Sequence, residues 1–198
     1  MSLYYRVGIY SEQAQTPEDN GHPLFRWPRQ GFGRIDDPLK DYLVLYLADT
    51  AEAAVAEVFG RFPEWRSALF DVPPAAPPNS RRALFTYQGE PRVCDLDDGH
   101  RLVEYGLRPS RVVTRDRTVT QEWARAIYER RTPEGEQEFA GLSWWSYYNP
   151  DWSSLGLWDV DLTVEDVEDL SLESLIVQET AFEIARVIEE KTRRRPAV

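Results

Sequence analysis

Gly33-Arg34-Ile35-Asp36 is followed by Leu45-Tyr46-Leu47-Ala48 and then by Ala56-Glu57-Val58. The three segments place a guanidinium, a phenol and a carboxylate on successive short elements. An arginine holds a phosphate through two parallel hydrogen bonds, and an aromatic ring stacks on a flat cation. A carboxylate stabilises positive charge that develops on a sugar. Together these groups suit a phosphorylated ribosyl compound such as NAD. Each residue alone has a duller account. Glu57 by helix phase is a flank glutamate, Tyr46 a core aromatic and Arg34 half of a surface ion pair. Arg6, inside an apolar strand, is harder to dismiss, because charges are seldom buried unpaired.

The elements that must position these groups can be read in order. Residues 4–10 are rich in aromatic and branched side chains and predict a first strand. Residues 11–30, interrupted by Pro17, Gly21, Pro23 and Pro28, predict a long loop of the kind that gates sites. Residues 43–47 form a continuous apolar run and predict a buried strand. The next segment predicts a helix capped by Asp49, with Glu52 as the other half of a capping box. Its buried face would be Ala51, Ala54, Val55, Val58 and Phe59, with Gly60 as the stop. Glu57 falls beside that stripe.

Residues 72–78 are proline-rich and predict an extended surface connection. Strands are expected at 83–87 and 92–96. A second helix is expected over about 121–130, with Trp123, Ala124, Ile127 and Tyr128 inward and Thr118 or Thr120 as cap. Residues 141–158, dense in Trp, Tyr, Ser and Asn, predict a loop–strand region beside a pocket. A last helix over about 174–191 would bury Val177, Ala181, Ile184 and Ile188, with Arg193-Arg194-Arg195 complementing its negative end.

The bulk composition narrows the function classes. At 198 residues the chain fits one domain, 1–198, with a real core. Apolar residues make up 42% and aromatics 13%, enough to fold rather than remain disordered. With 23 basic against 34 acidic residues, the net charge of −11 argues against sequence-independent nucleic-acid binding. One anionic small molecule needs only a local arginine cluster. Cys94 is the single cysteine, so no internal disulfide is expected and a reducing compartment fits. No apolar run suggests a secretion signal or a membrane span, and the expectation is a cytoplasmic protein.

Other chemistry finds no support. Gly31-Phe32-Gly33 lacks the third glycine of a dinucleotide fingerprint, and no phosphate-binding loop motif is present. His22 and His100 stand singly in polar stretches, so neither a metal site nor a Ser-His-Asp set can be built from them. The Trp144-Trp145 pair with Tyr147, Tyr148 and Trp152 reads equally as a stacking wall, a partner surface or core packing.

Tyr5-Arg6-Val7, Gly33-Arg34-Ile35-Asp36, Leu45-Tyr46-Leu47-Ala48 and Ala53-Ala54-Val55-Ala56-Glu57-Val58 resemble, in that order, the motifs of the RES domain family. Gly141-Leu142-Ser143-Trp144-Trp145-Ser146, then Gly156-Leu157-Trp158, resembles the family's later segment. The resemblance covers roughly residues 3–160, leaving a C-terminal helical extension at about 170–192. It implies an α+β, ADP-ribosyltransferase-like fold with a split, strongly bent β-core and flanking helices. It also implies a toxin of a toxin–antitoxin pair that breaks the nicotinamide–ribose bond of NAD, with a helix-turn-helix antitoxin as partner. Some members instead pass ADP-ribose to phosphate or to a protein. Carried over by motif, Arg6 and Arg34 would bind phosphate, Tyr46 would face nicotinamide, Glu57 would be the catalytic carboxylate and Ser146 the pocket serine. Ser143 competes with Ser146 for that last role. The stretch between Arg6 and Arg34 is longer than the family's usual spacing.

Nicotinamide in NAD is already cationic and departs neutral without a proton. One carboxylate therefore suffices, unlike the pair used in ordinary glycoside hydrolysis. The expectation is an NAD-consuming enzyme with no resident cofactor or metal, no nucleic-acid or membrane partner, and oligomeric state left open. Two rivals remain. One is a catalytically silent module that binds a nucleotide or a protein. The other, prompted by the acidic balance, is a protein that neutralises a neighbouring toxin.

Overall fold

Alternating aromatic and branched residues make Ser2–Tyr10 a strand, β1, which pairs along its full length with Arg81–Gly89, β3. The computed structural model describes residues 1–112 and 114–193. The other strands are β2 (Leu45–Ala48), β4 (Val93–Asp95), β5 (Gly141–Trp145), β6 (Ser153–Leu157) and β7 (Thr163–Asp169). They form one seven-stranded sheet in the order β4-β5-β6-β2-β1-β3-β7. Only β4 and β5 run parallel; every other neighbouring pair is antiparallel. The helices are α1 (Ala51–Phe59), α2 (Gly99–Glu104), α3 (Pro109–Val112), α4 (Arg117–Tyr128) and α5 (Leu175–Arg193). The protein is thus α+β, with a mixed sheet flanked by helices.

The junction of β1 and β2 decides where a site can form. These strands register through one pair, Tyr5 with Ala48, whereas β1 and β3 register through nine. The sheet is therefore nearly split at this junction. On one face, α1 and α5 cover Val7, Ala48 and Leu84. On the same face, α2, α3 and α4 pack with Val44, Leu142 and Trp144. The two helical layers leave an opening over the split. The opposite face buries Leu45, Leu47, Phe85, Tyr87, Leu155 and Leu157, with Leu24 from the long loop packed against them.

Several expected boundaries and caps differ from those observed. Helix α1 is capped by Thr50, whose hydroxyl accepts from Ala53 N, not by Asp49. Asp49 Oδ1 instead accepts from Ser153 N at 2.9 Å, joining the end of β2 to the start of β6. The buried face of α1 is Ala53–Ala56 with Phe59, and Ala51 and Val58 are only half-buried. Helix α4 starts at Arg117 rather than at about 121. Its cap is Asp116, which accepts from Thr118 N, and not Thr118 or Thr120. Thr120 instead donates back to Arg117 O inside the helix. In α5, Val177 and Ile184 are buried, but Val187 takes the inward place expected for Ile188, which is exposed. Arg194 and Arg195 of the expected tail lie outside the described residues.

Strand β7 and the short helices α2 and α3 were not expected from the sequence. β7 reads Thr-Val-Glu-Asp-Val-Glu-Asp at the edge of the sheet, and a register shift opposite Thr86 and Tyr87 breaks its alternation. Its acidic outer edge also discourages pairing with another strand. Helices of six and four residues, as α2 and α3 are, show too little periodicity to be read.

Candidate active site

A cavity of about 360 Å³ opens over the split between β1 and β2. β1 lines it with Tyr5, Arg6 and Val7, and β2 with Tyr46, Leu47 and Ala48. Helix α1 contributes Ala54, Glu57 and Val58, and Gly33 and Arg34 come from the loop before β2. Arg117, Trp144, Trp145, Tyr147 and Ser154 complete the wall.

Glu57 reaches this cavity because Ala53, Ala54 and Ala56, three of the five residues on the buried face of α1, let the helix lie close to the sheet. Its side chain points away from that face into the opening. Ser146 Oγ donates to Glu57 Oε1 at 2.9 Å, and Ser154 Oγ donates to the same oxygen at 3.2 Å. Ser146 also accepts from Tyr148 N at 3.2 Å, which leaves its one proton for the carboxylate. Among the described residues no donor is bonded to Oε2, so Glu57 is held by one oxygen only. Both serines are buried, at 4% exposure each. Ser143, the competitor, donates to Asp95 Oδ1 at 3.0 Å on the other side of β5. It is Ser146 that the fold brings to Glu57.

Tyr46 is fixed by the turn that carries Arg34. Its hydroxyl donates to Asp36 Oδ1 at 2.6 Å and accepts from Ile35 N at 3.1 Å. Asp36 Oδ2 accepts from Gly31 N and Gly33 N, both at 2.7 Å. The Gln121 amide donates to the carbonyls of the same two glycines at 3.0 Å. A Cβ on Gly33 would overlap the Tyr46 hydroxyl and the Asp36 carboxylate, so a glycine is required there. Ile35 is fully buried and anchors the turn in the core. Burial, reinforced by the neighbouring Asp36 carboxylate, pushes the Tyr46 phenol well above its ordinary value. Tyr46 is therefore a neutral donor.

Arg34 Nη1 donates to Val112 O at 2.6 Å and Thr114 O at 3.2 Å. Its guanidinium lies 5.9 Å from the Trp144 ring, which also meets Tyr46 edge-on at 6.5 Å. Trp144 is thus both core and cavity wall. Burial lowers the Arg34 pKa, as does the like charge of Arg117, while Glu57 and Tyr46 oppose the shift. Arg6 sits differently. It pairs with Phe85 and so leaves β1 on the opposite face from Val7. It still borders the cavity, because β1 has no β2 partner beyond Tyr5. Its Nη1 donates to Pro23 O and Phe25 O, each at 3.0 Å, and so ties down the loop over residues 11–30.

The structure therefore gathers Arg34, Tyr46 and Glu57 on one cavity, with Ser146 behind Glu57 and Arg6 at the edge. Sequence reasoning did not single out Ser154, Arg117 or the role of Asp36. For Ser154 a signal existed, since a serine inside an apolar strand on the Tyr46 side asks for a partner. Arg117 carried none. Among the described residues no group of His, Cys, Asp and Glu could hold a metal ion. No helix among them is long and apolar enough to cross a membrane. Cys94 is buried and its thiol is pushed up to about 11 by burial, far from the reactive range.

No functionally curated protein matches the chain. Among solved structures, it is similar to a chain in the crystal structure of the M. tuberculosis MbcT–MbcA toxin–antitoxin complex. The TM-score is 0.61 at 16% identity, over 93% of this chain and 89% of that one. At that identity the likeness is one of fold. The RES domain family model matches residues 4–175, including the strands, helix and turn that line the cavity. The chain belongs to the RES domain family.

Proposed function

We propose that this protein cleaves the nicotinamide–ribose bond of NAD as the toxin of a toxin–antitoxin pair. The observation that carries the reading is Glu57, a carboxylate in the cavity held through one oxygen by two buried serines. Arg34 and Tyr46 share that cavity. The likeness in fold to a chain of a toxin–antitoxin complex supports the biological context, and an antitoxin is the partner proposed.

In the proposed reaction the C1′–N bond breaks and its electron pair passes to the pyridinium nitrogen, so nicotinamide leaves neutral. The ribosyl carbon acquires oxocarbenium character, which the Glu57 carboxylate stabilises through the oxygen not taken by the serines. Ser146 and Ser154 fix the carboxylate in place before reaction, so little reorganisation is needed. Arg34, with Arg6 from the β1 side, holds phosphate oxygens. Tyr46 presents its ring to the nicotinamide, held by its bond to Asp36. Water is the default acceptor. It adds its oxygen to C1′ and releases one proton to solvent, giving ADP-ribose. Phosphate or a protein side chain would take the same position in a transfer reaction.

The test is nicotinamide release from NAD by the purified protein, with and without inorganic phosphate. Release is expected. Phosphate dependence would identify phosphorolysis. No release even with enzyme equimolar to NAD, and with protein acceptors added, would leave a silent binding module as the better reading.

A further inference from the structure

Arg82, on β3, is the one charged group among the described residues with a buried donor that makes no hydrogen bond. The unpartnered buried atoms are Arg82 Nε, Tyr105 Oη and Thr132 Oγ1. Arginines without an ion pair are common in this chain, but most of them are exposed. The other part-buried ones each hold two carbonyls: Arg6 those of Pro23 and Phe25, Arg26 those of Leu43 and Trp158, Arg34 those of Val112 and Thr114. Arg82 holds one, donating from Nη2 to Asp71 O at 3.2 Å. Burial lowers its pKa and no neighbouring charge opposes the shift, whereas Glu57 and Tyr46 oppose it at Arg34. A cation taken out of water with neither counter-charge nor full hydrogen bonding is costly, and buried charges are normally paired.

Arg82 lies opposite Ile9 and in phase with Leu84, so it leaves β3 on the face that α1 and α5 cover. It lines a hollow of about 470 Å³ that shares no residue with the cavity over the β1–β2 split. The segment before β3, the end of β7 and the approach to α5 enclose this hollow. Three acids border it, yet none acts on Arg82. Asp169 is ion-paired with Arg81, and Asp71 and Glu173 are exposed. Ser171 Oγ accepts from Glu173 N at 3.2 Å, which leaves its own proton free to donate. Val72 and Leu172, both half-buried, give the hollow an apolar side.

We infer that this hollow is a second ligand site, where Arg82 and Ser171 receive the oxyanion head of a small molecule and Val72 and Leu172 its apolar body. The head is a carboxylate or a phosphate, either of which a guanidinium holds through charge-assisted hydrogen bonds. The exposed acids select against a body that is itself anionic. The site is independent of the NAD reading, because Arg34, Tyr46 and Glu57 take no part in it. Binding supplies the counter-charge that the fold does not give Arg82.

The test is titration of the full chain with phenyl phosphate and with benzoate, followed by amide NMR, for the wild type, Arg82→Gln, Arg34→Ala and Arg108→Ala. Saturable shifts are expected at Asp71, Ser171 and Leu172 with at least one probe, and the tighter probe identifies the head group. Arg82→Gln should weaken binding by about tenfold or more. Arg34→Ala and Arg108→Ala should change it by no more than about twofold. The first lies in the other cavity, and the second is an exposed arginine outside both. Thermal unfolding without ligand gives a second readout. Arg82→Met should melt at or above the wild-type temperature, as removal of an unpaired buried charge does. A clear fall would show that the protein itself satisfies Arg82 and would overturn the site. So would the absence of saturable shifts with both probes, Arg82→Gln binding within about twofold of wild type, or an equal loss in Arg34→Ala.

Discussion

Ser146 and Glu57 meet at 2.9 Å although 89 residues separate them, the serine hydroxyl donating to Glu57 Oε1. Ser154 donates to the same oxygen from the neighbouring strand. The carboxylate on α1, which lines the cavity, is thus fixed through one oxygen by the β5 side of the sheet, and its second oxygen accepts no hydrogen bond among the described residues. Both serines are buried while Glu57 itself is exposed, so the hydroxyls are held in place by the sheet and the carboxylate stays open to the cavity.

The two serines should act as a unit. Ser146→Ala should lower kcat about tenfold and Ser154→Ala about threefold, with KM little changed, since both orient Glu57 rather than bind substrate. The double variant should lose more than the product of the two, because the second hydroxyl partly compensates for loss of the first. Steady-state kinetics of nicotinamide release would check this. Full activity in the double variant would remove the serines from the account.

Gly33→Ala should destabilise the protein by roughly 1–3 kcal/mol, as overpacking does, and should lower activity with it. The added methyl meets the Tyr46 hydroxyl and Asp36 carboxylate, so the turn carrying Arg34 must shift. Urea unfolding together with NAD titration would show both effects. Gly99→Ala, where a Cβ meets nothing within 4 Å, is the matched control and should show neither.

Much of this site was legible in the sequence, for physical reasons. The order Arg34, Tyr46, Glu57 survives folding because each sits on a short element next to the others in the chain. Ser146 required the resemblance, since no local pattern separates it from Ser143; only the β5 register sends one to Glu57 and the other to Asp95. Arg117 could not be found, because its relation to Arg34 is made by the packing of α4 on the Gly31–Gly33 turn. β7 was hidden by its acidic edge and irregular register. The caps of α1 and α4 were misassigned by one to a few residues because Asp49, Thr118 and Thr120 are also good cap residues, and Asp49 had a strand partner to satisfy instead.

Asp37 supplies a pH-dependent element of stability. Burial alone would raise its carboxyl, but donors from Leu39 N, Asp41 N and Arg125 together hold it below the usual carboxylate range. A carboxyl depressed in the folded state contributes stability that is fully present above its unfolded value of about 3.9. That contribution is lost as pH falls through the folded value. Asp37→Asn should therefore lower the melting temperature at pH 7 by roughly 3–8 °C. The gap from wild type should shrink below about pH 4. Thermal unfolding of both proteins at several pH values would test it, and a gap independent of pH would contradict the assignment.

The proposed reaction depends on the charge of Glu57, which stabilises the ribosyl cation. Glu57→Gln keeps the shape of the side chain and an oxygen for both serines but removes the charge. Nicotinamide release from NAD by the wild type and this variant, at matched concentration and confirmed fold, tests the claim most directly. The expected result is a fall in kcat of about a hundredfold or more with ADP-ribose binding retained. Turnover within a few-fold of wild type would contradict it.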